Sequence, residues 1–338
     1  MRFFEQQEAA RSQTLRLVAL FAIAVTATVL GVHFALKLIW WLPAHYVPGW
    51  GYPRAFAPVN IGVTLMLVLG GWWIETSSLQ AQGGAERLAR RLGAREIWPD
   101  SMPDEKRLAN VVDEMCIAAH MPRPQVMVLP RTRAINAFAA GWDAHDAVVA
   151  VTQGALELLT REELQGLVAH ECSHVHEGDT RLNMQLAGMV GGLELVWRFG
   201  DMIRRRGDLV GWCVGLPIQL VGSIGWYAGR GLQASVARQR EYLADARAVQ
   251  WTRSRDGLGG VLRKALAQRD DDDEDLSDDP DWPLVAHHLL LVGHLEDKRH
   301  WFDAHPPLAE RIRRIYGRPM PALPLGDGEA ETVPAGLG

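Results

Sequence analysis

One stretch constrains this chain more than any other: Thr160-Arg-Glu-Glu-Leu-Gln-Gly-Leu-Val-Ala-His-Glu-Cys-Ser-His-Val-His-Glu-Gly-Asp179. Thr160 with Glu163 three residues later forms a capping box, which predicts a helix starting there. His170 and His174 then stand four residues apart, one turn along the same face. Two imidazoles so placed can reach one zinc ion at roughly 2.0–2.1 Å. Glu171 lies next to them, where a carboxylate can take a proton from a metal-bound water. Cys172 points away from that face and is not counted as a ligand. The pattern His-Glu-x-x-His also arises by chance, and a surface helix with two satisfied histidines reads the same. The apolar residues just before it, Leu164, Leu167 and Val168, favour a buried helix.

A catalytic zinc needs a third protein ligand. A third histidine six residues beyond His174 would fall on Thr180, so that route is closed. A Glu from a separate helix remains, and Arg238-Gln-Arg-Glu-Tyr-Leu-Ala-Asp-Ala-Arg-Ala248 offers one. Glu241 and Asp245 share a face of it. Glu241 can complete a zinc site, and Asp245 can hold a ligand histidine by its free N–H. The alternative is that Glu241 is one more solvated charge among arginines.

Five segments, taken together, resemble a known family. They are Asn136-Ala-Phe-Ala-Ala-Gly141, Val148-Val-Ala-Val-Thr-Gln-Gly154, the helix through His174, Arg240-Glu-Tyr-Leu-Ala-Asp245 and His305-Pro-Pro-Leu-Ala-Glu-Arg311. In this order they resemble the membrane-bound zinc metallopeptidases that include the heat-shock protease HtpX and the type-1 CAAX prenyl proteases. The resemblance spans most of residues 100–315. It implies a mainly α (α+β) fold: a gluzincin-type metalloprotease domain with a small β-sheet, tethered by N-terminal transmembrane helices. It implies one zinc per chain on His170, His174 and Glu241, with Glu171 as base and Asp245 in support. It also sets Asn136, Ala137 and Phe138 on a substrate-binding strand beside the zinc, where a peptide adds to a sheet edge by main-chain pairing. An ordinary hairpin is the competing reading of those residues. His305 is expected near the zinc, where it can hydrogen-bond an oxyanion.

The chain has 338 residues and a formal net charge of −5. It shows no basic field for nucleic acid. The three cysteines, Cys116, Cys172 and Cys213, form neither a disulfide framework nor a Cys-x-x-Cys knuckle. Hydrophobic residues are unevenly placed. After a polar segment 1–16, Leu17 to Ala35 is an apolar run long enough to cross a bilayer. A cleavable signal peptide competes, but no small-x-small site follows. A second span runs from Phe56 to Ile74 and ends in Trp72-Trp73. Arg2, Arg11 and Arg16 precede the pair and Arg87, Arg90, Arg91 and Arg95 follow it. The positive-inside rule therefore sets both flanks in the cytoplasm.

The expected organisation is a cytoplasmic terminus 1–16, two transmembrane helices over 17–75, a metallopeptidase domain over 76–317 and a disordered tail 318–338. Within the domain, 182–229 crosses the membrane twice or not at all, because one crossing would separate Glu241 from His170. Two crossings send Arg204, Arg205 and Arg206 outward, against the same rule; a hairpin packed on the domain or at the interface is the alternative. The acidic run 270–281 reads as a solvated loop. Pro283 to Trp301 reads as a helix carrying His287, His288, His294 and His300.

These readings converge on a membrane-anchored zinc endopeptidase, with protein or peptide substrates and the lipid bilayer as partners. The resemblance adds misfolded membrane proteins as substrates and a bacterial inner membrane as the location, with the catalytic domain facing the cytoplasm. The rivals are a non-catalytic peptide-binding adaptor and a processing protease for a defined substrate.

Overall fold

Proline and glycine punctuation sets most of the helix boundaries. In the computed structural model, residues 2–80, 83–271 and 305–325 are described. The elements in order are α1 (Arg2–Tyr46), α2 (Phe56–Gln80), α3 (Gly84–Arg91), β1 (Arg95–Glu96) and α4 (Pro103–Ala119). Then come β2 (Gln125–Leu129), β3 (Ala137–Ala140), β4 (Val148–Thr152), α5 (Gln153–Leu158) and α6 (Arg161–Glu177). They are followed by α7 (Asp179–Arg204), α8 (Leu209–Thr252), α9 (Asp256–Asp271) and α10 (Leu308–Tyr316). Most of the acidic run 270–281, and the expected helix with His287, His288, His294 and His300, lie outside the described residues.

Two compact units result. One comprises 2–78 and 185–233, the other 79–184 and 234–325 of the described residues. The first is built from α1, α2, most of α7 and the first half of α8. Its core holds Val25, Val29 and Val32 of α1, Val68 of α2, Leu193 and Val196 of α7, and Ile218 of α8. Glycine permits close helix crossings here: a Cβ on Gly192 would sit 2.3 Å from the Val68 carbonyl oxygen. Among the described residues, two helices are long and apolar enough to cross a membrane, Ala19–Tyr46 and Phe56–Ser77.

The second unit is a four-stranded sheet in the order β1-β2-β4-β3, with helices on both faces. β2 and β4 are parallel, and β1 and β3 run antiparallel to their neighbours. Side chains alternate across the sheet. Val126, Val128, Ala137, Ala139, Val149 and Val151 pack with α4, α6, α9 and α10. Met127, Leu129, Phe138, Ala140, Val148 and Ala150 pack with α3 and Met184. Both faces are covered, which is why these strands read as nearly unbroken apolar runs.

α6 lies against α9 and α4. Gly166 lets it approach: a Cβ there would fall 2.3 Å from the Leu258 backbone nitrogen of α9. Thr160 accepts from Glu163 N–H, and Glu163 returns the bond to the Thr160 backbone, the capping box read from the sequence. Lys264 of α9 seals the same corner, 2.8 Å from Glu163 Oε2.

Three sequence expectations change. The second half of the possible hairpin, from Leu209, and the Glu241 stretch belong to one continuous 44-residue helix, α8. Gly257, Gly259 and Gly260, a cluster that on propensity alone predicts a helix break, lie inside α9, where Gly260 accommodates the Glu163 side chain. The break comes earlier, at Arg253, whose φ of 54° leaves the helical region. Residues 318–325, expected within a disordered tail, lie along α9: Leu323 N–H donates to Arg263 O, and Arg263 Nε donates to Pro321 O.

Candidate metal centre

α6 and the last turns of α8 bring three donors together. His170 Nε2 and His174 Nε2 face each other at 3.2 Å. Glu241 Oε1 is 3.4 Å from His174 Nε2, and Oε2 is 3.7 Å from His170 Nε2. Among the described residues, these three form the cluster able to hold a metal ion, with all ligand atoms within 4.8 Å of one another. Donors held tetrahedrally at 2.0–2.1 Å from one ion are separated by roughly 3.3 Å. The observed separations therefore fit zinc. So does the chemistry, because each imidazole has its other nitrogen next to a carboxylate, which leaves both Nε2 atoms converging on one point.

The supporting contacts are buried carboxylates set against the imidazoles and an arginine. Asp245 Oδ1 is 3.1 Å from His170 Nδ1. Asp179 Oδ2 is 3.1 Å from His174 Nδ1. Arg311, wholly buried, donates to Asp245 from Nη2 at 2.7 Å and from Nε at 3.0 Å. Its Nη1 is 3.1 Å from Glu241 Oε2. His305 Nδ1 is 3.3 Å from the same oxygen, so His305 lies beside the cluster.

Burial and charge pull these groups apart in pKa. Burial drives the Glu241 carboxyl up, but His305, Arg311 and the bond from His174 outweigh it and hold Glu241 well below 4.5. Burial likewise lowers His174, and the carboxylates of Asp179 and Glu241 reverse this and raise it well above 6.5. For His170 burial prevails, and its pKa is lowered. Burial pushes the Glu171 carboxyl up to about 8. A dication beside Glu171 would favour its ionised form.

Glu171 also contacts the sheet, accepting a hydrogen bond from Ala139 N–H. β3 is an edge strand, paired only to β4 among the described residues. Alternation puts the N–H groups of Ala137 and Ala139 on one side of β3. The Ala137 N–H is bonded to Asn136 Oδ1. The side chains of Asn136, Ala137 and Phe138 are buried, so the outer edge of this strand consists of backbone groups.

Asp179, Arg240 and Arg311 complete the contacts around the donor cluster, and none of the three belongs to the His-Glu-x-x-His pattern. Arg311 stands in the His305-Pro-Pro stretch without a local cue to its partners. For Asp179 a cue exists. Gly178 follows the motif at φ 74°, closing α6, and Asp179 opens α7 immediately afterwards.

Residues 103–318 match Peptidase family M48. Among curated proteins, a Protease HtpX homolog of Dictyoglomus thermophilum is 34% identical over 237 residues, 68% of this chain and 74% of that one. The Protease HtpX homolog of Ligilactobacillus salivarius is 31% identical over 76% of this chain and 83% of its own. That of Streptococcus uberis is 29% identical over 76% and 86%. No solved structure gives a significant match. The chain belongs to peptidase family M48, as an HtpX-like membrane metalloprotease.

Proposed function

We propose that His170, His174 and Glu241 hold one zinc ion and that Glu171 is the general base of peptide-bond hydrolysis. The observation that carries this is the convergence of the three donor groups with Glu171 on the adjoining residue. When bound, zinc supplies a Lewis acid that polarises the scissile carbonyl and makes a water more acidic. The Glu171 carboxylate takes the proton of the attacking water and passes it to the departing amine nitrogen. His305 donates to the developing oxyanion. Asp245, held by Arg311, fixes the tautomer of His170. The β3 edge pairs with an extended substrate through its backbone, which recognises unfolded chain without demanding a sequence.

The substrates are unfolded or misassembled membrane proteins, and the enzyme works at the cytoplasmic face of a bacterial inner membrane. Supporting this are the two apolar helices and the arginines on their outer flanks. The α7–α8 hairpin, whose helices fall short of those two in apolar character, adds two further crossings. In its favour, Leu220, Ile224 and Tyr227 of α8 are exposed apolar side chains, and Gly200 brings α7 and α8 close: a Cβ there would lie 2.3 Å from the Gln219 nitrogen.

The test is zinc content and casein cleavage by the full chain in detergent. The wild type should hold one zinc and cut casein, and a chelator should abolish cutting. His170→Ala and Glu241→Gln should lose both zinc and activity. A wild type that cuts equally well when stripped of zinc would contradict the reading.

A further inference from the structure

We propose that Asp179 is the positioning residue for His174 and that Arg240 holds Asp179 in that role. The proposal rests on the reading of His170, His174 and Glu241 as the zinc ligands.

Gly178 turns the chain at the end of α6 and returns Asp179 toward the last turn of that helix. Asp179 is 2% exposed. Its two oxygens do different things. Oδ2 is 3.1 Å from His174 Nδ1, and Oδ1 accepts from Arg240 Nη1. A buried carboxylate requires such pairing. Arg240 directly precedes Glu241 on α8, and Glu241 Oε1 is 3.4 Å from His174 Nε2. One imidazole is thus held at one nitrogen through Arg240 and Asp179, and faces the neighbouring Glu241 at the other.

The same construction stands on the other ligand, where Asp245 sits between His170 Nδ1 and Arg311. Each histidine therefore has its own carboxylate, and each carboxylate its own arginine. An Nδ1–H donated to Asp179 leaves the Nε2 lone pair of His174 for the metal. The simpler role for Asp179 is an acidic residue complementing the dipole at the start of α7. That role needs no histidine within reach and predicts no change in zinc affinity.

The experiment measures zinc dissociation constants of the full chain in detergent, by competition with a chromogenic chelator. The variants are D179N, R240Q, R240K, D179N/R240Q and H174A. D179N should weaken zinc binding about 10–100-fold, the range for losing an outer-shell partner of a ligand. R240Q should weaken it by a smaller factor, and R240K, which keeps a donor for Asp179, should restore much of that loss. The double variant should match D179N alone, since Arg240 acts through Asp179. Wild-type affinity in D179N overturns the proposal. Should D179N fail to fold, the partly exposed Arg240 decides: equal affinities in wild type, R240Q and R240K overturn it. If H174A binds zinc as tightly as wild type, the reading of the metal centre fails instead.

Discussion

Arg311 Nη2 lies 2.7 Å from Asp245 Oδ1, with the guanidinium wholly buried. The same side chain reaches Glu241 Oε2 at 3.1 Å. One cation thus neutralises two buried carboxylates. Arg311→Met should leave both without it. In the zinc-free protein this should cost about 3–5 kcal/mol, read as a lowered denaturation midpoint. Added zinc should recover part of the loss, because an ion in the cluster supplies positive charge beside Glu241.

Glu105 predicts a pH signature remote from the metal site. It is 2% exposed and accepts from Arg95 Nη2 at 2.5 Å, Arg95 Nη1 at 3.2 Å and Trp98 N–H at 2.5 Å. Burial pushes its pKa up, but Arg95 and the Trp98 N–H overcome this and lower it below 4.5. A folded pKa below the unfolded one contributes stability that is complete above the unfolded value. It is lost as pH falls through the folded value. Glu105→Gln should therefore cost about 2 kcal/mol at neutral pH. The gap from wild type should close as pH falls below the usual glutamate range. A gap that persists in acid would contradict the assignment.

Gly166→Ala tests the seat of the motif helix. The added methyl group has no room against the Gly257–Leu258 backbone of α9. Separating the two helices should cost about 1–3 kcal/mol in denaturant unfolding. An Ala variant of unchanged stability would show that α6 and α9 are not packed this closely.

Arg205 reports on the α7–α8 hairpin. In protein otherwise free of cysteine, Arg205→Cys should react with a membrane-impermeant thiol reagent added from the periplasmic side of intact cells. Labelling only after the membrane is opened would leave the hairpin tip on the cytoplasmic side.

Local chemistry made part of this structure readable in advance. Pro103 at the first turn and the left-handed His120 after Ala119 bound α4, the proline start and αL stop that local chemistry favours. The capping box likewise placed the start of α6. The two-residue β1 has too few positions to show a period, and it exists because Arg95 and Glu96 pair with Val128 and Met127. The α9 glycines looked like breakers, and only the packed fold reveals that Gly260 makes room for Glu163. At the site, the 170–174 spacing is local and legible. Arg311 is not, because its partner Asp245 is 66 residues away and no periodicity links them. Asp179 lies five residues from His174, yet the contact depends on the left-handed turn at Gly178.

The most direct measurement compares wild type with Glu171→Gln, both purified in detergent and loaded with zinc, in the cleavage of casein. Gln keeps the shape of the side chain and removes the base. Both proteins should hold one zinc, and turnover by the variant should fall by at least about 10²-fold. Equal cleavage by the two would contradict the assignment of Glu171 as the base.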